Sequence, residues 1–182
     1  KMLDESGVYY EIRPAEKEDN APIKLKNGKI SRAFEMLTKM YGMPDYGEFD
    51  PTPLLAPFYA LFFGMCVGDA GYGLLLVLLG LYLKKKLSKS MAGMMNLLIT
   101  LGVATTIVGA VFNTFFGVSL TSLDLPHWMD SLIISGKWDG TAYDKTMVIA
   151  LLVGMFHICF ALTVKAIGST VRYGFKNALS DW

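Results

Sequence analysis

Several chemically active residue types are scarce in this chain of 182 residues. It has two cysteines and two histidines, and its formal net charge is +1. Cys66 and Cys159 lie inside apolar runs, where thiols behave as small hydrophobic side chains, so we expect neither a disulfide framework nor a metal site. No basic stretch is interleaved with aromatic residues, which excludes a binder of single-stranded nucleic acid. The composition points to no cofactor.

Charge is also missing from long segments, and this absence indicates the class of protein. The mean hydropathy is +0.39, and Asp69 is the sole charged residue between Asp50 and Lys84. Uncharged apolar runs of about 18 residues or more are candidates for transmembrane helices. The pattern therefore predicts an all-α polytopic membrane protein. Its four membrane helices are predicted over residues 54–68, 71–84, 91–117 and 146–168.

The first part of the chain has the composition of a soluble segment. Residues 1–52 hold 8 Lys or Arg and 10 Asp or Glu. VYYEIR at residues 8–13 predicts a strand, and Ser31 is the expected N-cap of a helix that ends before Gly42. Because this segment is too small to build its own core, we expect a small α+β remnant of a larger soluble lobe, followed by a membrane domain over residues 53–182.

The apolar run at residues 54–83 is too long for one ordinary crossing. As a single helix of 30 residues it would measure about 45 Å, whereas the hydrocarbon core is about 30 Å thick. Lys and Arg favour the cytoplasmic side, so KKKLSK at residues 84–89 is placed there and the acidic loop 118–145 outside. The run then forms a short helical hairpin, with GDAGYG near its outer tip and the N-terminal side cytoplasmic. A single crossing would instead put the N-terminal lobe outside.

Two side chains in the apolar runs are candidates for an ion path. Asp69 is the one carboxylate within its run, and an acid at membrane depth is typical of a proton relay or an ion ligand. The alternative is a turn aspartate that accepts hydrogen bonds from the backbone N–H groups of Gly71 or Tyr72. His157 has two interpretations as well: a proton carrier, or a neutral imidazole bonded to a neighbouring helix.

Small residues mark the predicted turn and a predicted packing face. Glycines permit a tight reversal, and small or polar residues at four-residue spacing let helices approach closely in lipid. The residues expected to shape the turn and pack the helices are Gly68, Gly71, Gly73, Thr105, Gly109, Asn113 and Gly117.

Two enzyme classes suggested by GDAGYG are not supported. An intramembrane aspartyl protease needs two carboxylates that share a proton, and the runs 91–117 and 146–168 contain no acid. A membrane-embedded hydrolase would therefore have to be completed by sequence elsewhere. GDAGYG also has the wrong order of glycines for a dinucleotide-binding loop. An independent transporter or channel, with Asp69 and His157 lining a polar path, stays open as an alternative function.

Four stretches of the sequence together resemble one known family. They are PIKLKNGKISRAFEMLTKMYGMPDYGEFD, DPTPLLAPFYALFFGMCVGDAGYGLLL, GAVFNTFFGVSL and GMFHICFAL. The first two resemble the junction between the cytoplasmic lobe and the membrane domain in subunit I of bacterial and archaeal V-type ATP synthases. This is the family of the eukaryotic V-ATPase 116 kDa subunit. The resemblance extends over almost the whole chain.

The resemblance implies a non-catalytic stator subunit in a rotary machine that moves protons or sodium ions. Residues 1–52 would be the end of the cytoplasmic lobe, and residues 53–182 the first part of the membrane domain, in the plasma membrane of a prokaryote. The implied partners are the proteolipid ring, the peripheral stalk subunits, the remaining C-terminal helices of the same subunit and the lipid bilayer. The essential arginine and the half-channels of the family belong to helices near its C-terminus, and no residue of this chain matches that site.

Overall fold

The computed structural model describes residues 23–44, 49–87, 91–123 and 132–174. These parts of the chain are mostly helical, with five α-helices and one short β-hairpin. Strand β1 (Thr114–Phe115) pairs antiparallel with β2 (Val118–Ser119), and a 3₁₀ helix at Leu120–Leu123 follows. The strand predicted at residues 8–13 lies outside the described residues. The α-helices are α1 (Ser31–Tyr41), α2 (Thr52–Val67), α3 (Ala70–Lys86), α4 (Ala92–Val111) and α5 (Lys145–Tyr173).

The predicted helix over residues 91–117 is wrong at its C-terminal end, since α4 ends at Val111. Asn113 has a φ of 63° and Gly117 a φ of 76°, and an α-helix does not continue through this left-handed region. Asn113 is held there by Thr121, whose N–H donates to Asn113 Oδ1 at 2.9 Å. The apolar run was misleading because the residues of the β-hairpin are largely apolar as well.

An N-cap at Ser31 would make Arg32 the first residue of helix α1, but the helix begins at Ser31 itself. Ile30 occupies the N-cap position, and no side chain caps the helix, so the predicted role of Ser31 is wrong. The first amides bond to main-chain carbonyls instead. Arg32 N–H donates to Gly28 O at 2.9 Å, and Ala33 N–H donates to Ile30 O at 3.0 Å. The turn before the helix therefore provides what a capping side chain would otherwise supply.

Helix α2 runs in the same direction as α4. Gly64, near the C-terminal end of α2, faces Val108 so closely that a Cβ at Gly64 would lie 2.9 Å from Val108 Cγ2. Ala56, near the N-terminal end of α2, packs in one cluster with Leu101. From Ala56 to Gly64 along α2, the contact on α4 moves from Leu101 to Val108, so the two helices are parallel.

Helix α3 runs in the opposite direction along α4. Gly73 in the first turn of α3 faces Thr106, and a Cβ there would lie 2.6 Å from Thr106 Oγ1. Gly80, two turns later, faces Ile99, with its Cβ position 2.6 Å from Ile99 Cγ1. The chain therefore reverses between α2 and α3, and residues 54–83 form a helical hairpin instead of one long helix.

Helix α5 lies against α2 and runs antiparallel to it. The ring centroids of Phe58 and Phe160 are 5.2 Å apart, and those of Phe62 and His157 are also 5.2 Å apart. From Phe58 to Phe62 along α2, the contact on α5 thus moves back from Phe160 to His157. Consecutive long helices from α2 to α5 alternate in direction.

Two helices are long and apolar enough to cross a membrane by length and composition. They are α4, at Ala92–Val111, and the Lys145–Val171 part of α5, with mean hydropathies of 1.9 and 2.5. Helix α2 is apolar but shorter. The side chains of α5 are largely exposed, whereas α4 is enclosed on two sides by α2 and α3.

Helix α1 covers the end of the bundle where α2 begins. Phe34 is fully buried and packs in a cluster with Ala33, Ala56 and Leu101. Its ring meets that of Tyr59 edge to face, with the centroids 6.1 Å apart. The same face of α1 carries Thr38, also buried. Helix α1 is thereby packed against the first helix of the bundle.

Three hydrogen bonds hold the start of α2 against α1 and the residues that precede α1. Thr38 Oγ1 and Thr52 Oγ1 are 2.7 Å apart and share a buried hydrogen bond. Asp50 accepts hydrogen bonds from Asn27 Nδ2 at 2.7 Å and from Thr52 N–H at 2.9 Å. Burial by itself would raise the pKa of Asp50, but the hydrogen bonds from Thr52 and Asn27 outweigh it and hold that pKa below its usual value.

The threonine pair should show strong coupling in a double-mutant cycle. Thr38→Val or Thr52→Val alone leaves one buried hydroxyl without its partner and should cost about 2 kcal/mol of stability. The double variant removes both hydroxyls and should lie close to the wild type. Thermal unfolding of the full-length subunit in detergent measures this, with Thr163→Val on the exposed side of α5 as the control. Additive losses in the double variant would contradict the contact.

Candidate functional site at the turn between α2 and α3

The carboxylate of Asp69 is buried, with 5% of the residue exposed, and accepts four backbone hydrogen bonds. Oδ1 accepts from Gly71 N–H at 2.8 Å, from Tyr72 N–H at 3.1 Å and from Phe116 N–H at 2.9 Å. Oδ2 accepts from Gly117 N–H at 2.8 Å. The side chain therefore joins the start of α3 to the β-hairpin that follows α4.

Local backbone geometry places the carboxylate at this point. Gly68 ends α2 in the left-handed conformation, with φ 60° and ψ 16°, and its N–H donates to Gly64 O at 2.8 Å. Asp69 is extended and occupies the N-cap position of α3. The capping interpretation of the sequence predicted the donors Gly71 and Tyr72. The donors from the hairpin are 47 and 48 residues away, and no local pattern predicted them.

The other half of the site is a two-residue β-turn of uncommon composition. Phe116 and Gly117 both have positive φ, at 49° and 76°, as a type I′ turn requires. Asn, Asp or Gly is usual at the first of these positions, and a bulky side chain there costs on the order of 1 kcal/mol or more. Asp69 accepts the N–H groups of both turn residues, and charge-assisted hydrogen bonds of this kind offset that cost.

The contacts of the Phe116 ring explain why the turn carries a phenylalanine at this position. It lies over Gly71, where a Cβ would be 2.6 Å from Phe116 Cδ2, and it meets the ring of Tyr72 edge to face at 5.5 Å. A side chain at Gly71 would displace the ring. Gly71 and Phe116 therefore fit together as a pair, and Asp69 bonds to the backbone of both.

Glycines let α3 and α4 pack closely next to the Asp69 site. A Cβ at Gly109 would overlap backbone atoms of Asp69 and Ala70, and a Cβ at Gly73 would overlap the backbone of Thr106. Gly102 of α4 faces Val77, with its Cβ position 2.9 Å from Val77 Cγ2. The two helices consequently approach at backbone distance along this seam, as small residues permit in membrane helix pairs.

The remaining residues of the predicted turn-and-packing set occupy several environments. Thr105 is fully buried, with its hydroxyl bonded to Leu101 O at 2.8 Å. Asn113 and Gly117 do not extend the packing face of α4, because both lie in the turns beyond its end. Sequence reasoning missed Phe116, Gly80 and Gly102. The seven-residue spacings Gly73 to Gly80 and Gly102 to Gly109 would have signalled the last two, since seven residues is two helical turns.

His157 lies apart from the Asp69 site, against the aromatic side chains of α2. Its ring centroid is 4.5 Å from that of Phe58 and 5.2 Å from that of Phe62. Together with Cys66 and neighbouring apolar residues it lines a cavity of about 300 Å³. The two ion-path candidates thus contact different groups, and the structure does not bring them together.

Three N–H donors saturate Oδ1 of Asp69 and a fourth bonds to Oδ2, since each carboxylate oxygen offers about two lone-pair sites. Among the residues that the structure describes, no cluster of three or more His, Cys, Asp or Glu that could hold a metal ion is present. This geometry favours a capping and bridging role over ion transfer at Asp69.

Comparisons with known proteins agree with one another. The profile of the V-type ATPase 116kDa subunit family matches residues 3–139. The chain is 44% identical over 107 residues to the A-type ATP synthase subunit I of Methanocaldococcus jannaschii, covering 57% of this chain and 16% of that relative. It is 34% identical over 165 residues to the subunit I of Pyrococcus abyssi, covering 87% of this chain and 24% of the relative. The Pyrococcus horikoshii subunit I is 34% identical over 180 residues, with coverages of 95% and 26%. The chain thus spans about a quarter or less of each of these relatives.

Proposed function

Because the chain belongs to the V-type ATPase 116 kDa subunit family, we propose that it is part of the membrane stator subunit of a rotary ATP synthase or V-type ATPase. Its role in that machine is mechanical. Residues 1–52 are the end of a cytoplasmic lobe that docks to the peripheral stalks. Residues 53–182 begin the membrane domain that stands beside the proteolipid ring and supports transport of protons or sodium ions. The family match is the observation that carries this proposal.

The alternating directions of the helices support a four-crossing topology. Helices α2 and α4 run one way, and α3 and α5 run the other. Helix α3 ends in Lys84, Lys85 and Lys86, which favours the cytoplasm at that end of the bundle. Helix α1 packs at the same end. The turn at Asp69 then lies near the outer face of the plasma membrane.

Helix lengths fit a hairpin braced by a full crossing. With 16 and 17 residues, α2 and α3 are about 24 and 26 Å long, whereas α4 with 20 residues is about 30 Å long. The two shorter helices pack closely on the longer one through Gly64, Gly73 and Gly80. We infer from this close packing that the three-helix group transmits load from the cytoplasmic lobe to the helices that form the half-channels.

The apolar spans offer little for ion transfer of their own. No Arg or Lys lies within α2 or α4, and Asp69 is occupied by backbone donors. We therefore assign these helices to bracing, with bond-making chemistry and the channel arginine elsewhere in the complex. An independent channel lined by Asp69 and His157 would move ions when reconstituted alone. A stator subunit should instead copurify with a proteolipid ring and stalk subunits.

Sidedness of two cysteine variants tests the topology. Ser119→Cys and Lys85→Cys are both exposed, and they lie at opposite ends of the bundle; Cys66 and Cys159 are replaced by alanine in each. An impermeant maleimide added to intact cells should label only Ser119→Cys. Lys85→Cys should react only in inverted vesicles. Labelling of both positions from one side would overturn the proposed hairpin.

A further inference from the structure

A groove with a basic rim lies between α1 and the start of α4. Its volume is about 410 Å³. Helix α1 contributes charged residues, and the start of α4 contributes methionines. The residues that define the groove are Arg32, Glu35, Met36, Lys39, Met91 and Met94.

The charges follow from the helical register of α1. Arg32, Glu35 and Lys39 recur at spacings of three and four, so they share one helical face, which lies beside the face that buries Phe34 and Thr38. The guanidinium of Arg32 directs one N–H to Asn27 O at 3.4 Å and retains donors for an anion. Glu35 lies between the two cations and offsets part of their charge.

The apolar part of the groove is made of flexible side chains. Met36, Met91 and Met94 are each more than a third exposed. Methionine packs adaptably against apolar partners of varied shape, so this surface suits a hydrocarbon chain. A groove with two cations beside exposed methionines is complementary to a molecule that is anionic at one end and apolar at the other.

We propose that this groove binds an anionic phospholipid, with the phosphate at Arg32 and Lys39 and an acyl chain along the methionines. The inference rests on the proposed topology, which puts this end of the bundle at the cytoplasmic headgroup level. Lys84, Lys85 and Lys86 at the same end add to the attraction for an anionic leaflet. Bound lipid would fill the space between the lobe-side helix and the membrane helices.

Native mass spectrometry of the delipidated full-length subunit tests the proposal. The subunit is titrated with phosphatidylglycerol, with zwitterionic phosphatidylcholine and with inorganic phosphate. Phosphatidylglycerol should bind about thirtyfold more tightly than phosphatidylcholine, and the double variant Arg32→Gln with Lys39→Gln should lose about thirtyfold, since it removes two cations and each contributes about a fivefold gain in affinity near an anionic surface. Glu35→Gln should strengthen binding.

The matched control is Lys24→Gln with Lys26→Gln, which removes the same charge from exposed positions outside the groove. It should change affinity less than twofold. Equal losses in both double variants, no preference for phosphatidylglycerol, weaker binding in Glu35→Gln, or displacement of the lipid by millimolar phosphate would each overturn the site. Loss of lipid preference together with the cysteine labelling expected above would contradict this inference alone. Reversed labelling would contradict the topology on which the inference rests.

Discussion

Replacing Gly109 with alanine should disrupt the packing of α3 on α4 more than any other single methyl addition in this region. The added Cβ would overlap the backbone at Asp69 and Ala70, and a backbone cannot move aside as a side-chain tip can. Overpacking of this kind costs about 3 kcal/mol or more. We expect the thermal midpoint of the full-length subunit to fall and the yield of assembled complex to fall with it.

Gly154→Ala on α5 is the matched control for this experiment. Nothing in the described structure lies within 4 Å of a Cβ at that position. Alanine is the better helix former by about 1 kcal/mol, so this substitution should be neutral or slightly stabilising. A midpoint for Gly109→Ala equal to that of Gly154→Ala would show that the helices do not approach as closely as described.

Replacing Asp69 with asparagine should separate the bridging role from an ion-path role. An asparagine keeps the shape of the side chain but offers one carbonyl oxygen to four N–H donors, and its NH₂ group faces donors that it cannot satisfy. Buried donors without acceptors cost about 1 to 3 kcal/mol each. The variant should therefore lose about 3 kcal/mol of stability and assemble poorly.

The exposed Asp139 supplies the control, because Asp139→Asn makes the same chemical change without removing a buried acceptor. It should unfold like the wild type. The two roles of Asp69 predict different measurements in assembled complexes. If Asp69→Asn gave complexes of normal thermal stability that had lost ion transport, the bridging role would be wrong and the ion path would be favoured.

Much of the helical hairpin could be predicted from the sequence, because its causes are local. The excess length of the apolar run, the glycines of GDAGYG and the lysines after residue 83 all act within a short stretch of chain. The first two donors to Asp69, Gly71 and Tyr72, follow from the same reasoning, since an N-cap bonds to amides two and three residues later.

The parts that sequence reasoning missed depend on contacts between distant residues. Phe116 and Gly117 reach Asp69 only because α4 returns the chain to the turn. The end of α4 at Val111 was missed because hydropathy does not distinguish an apolar helix from an apolar β-hairpin. Asn113 and Gly117 are typical of left-handed positions, and in an otherwise apolar run they were the available signal for that turn.

The bonds from Phe116 and Gly117 to Asp69 also set an order for biosynthesis. When the turn at Asp69 and the start of α3 leave the ribosome, the carboxylate has two of its four donors, and the others lie 47 and 48 residues after Asp69. At cellular rates of synthesis this is a delay of roughly 2 to 10 seconds. We expect the short hairpin to remain shielded by the insertion machinery until α4 has emerged, so that the three helices enter the bilayer as one cooperative unit.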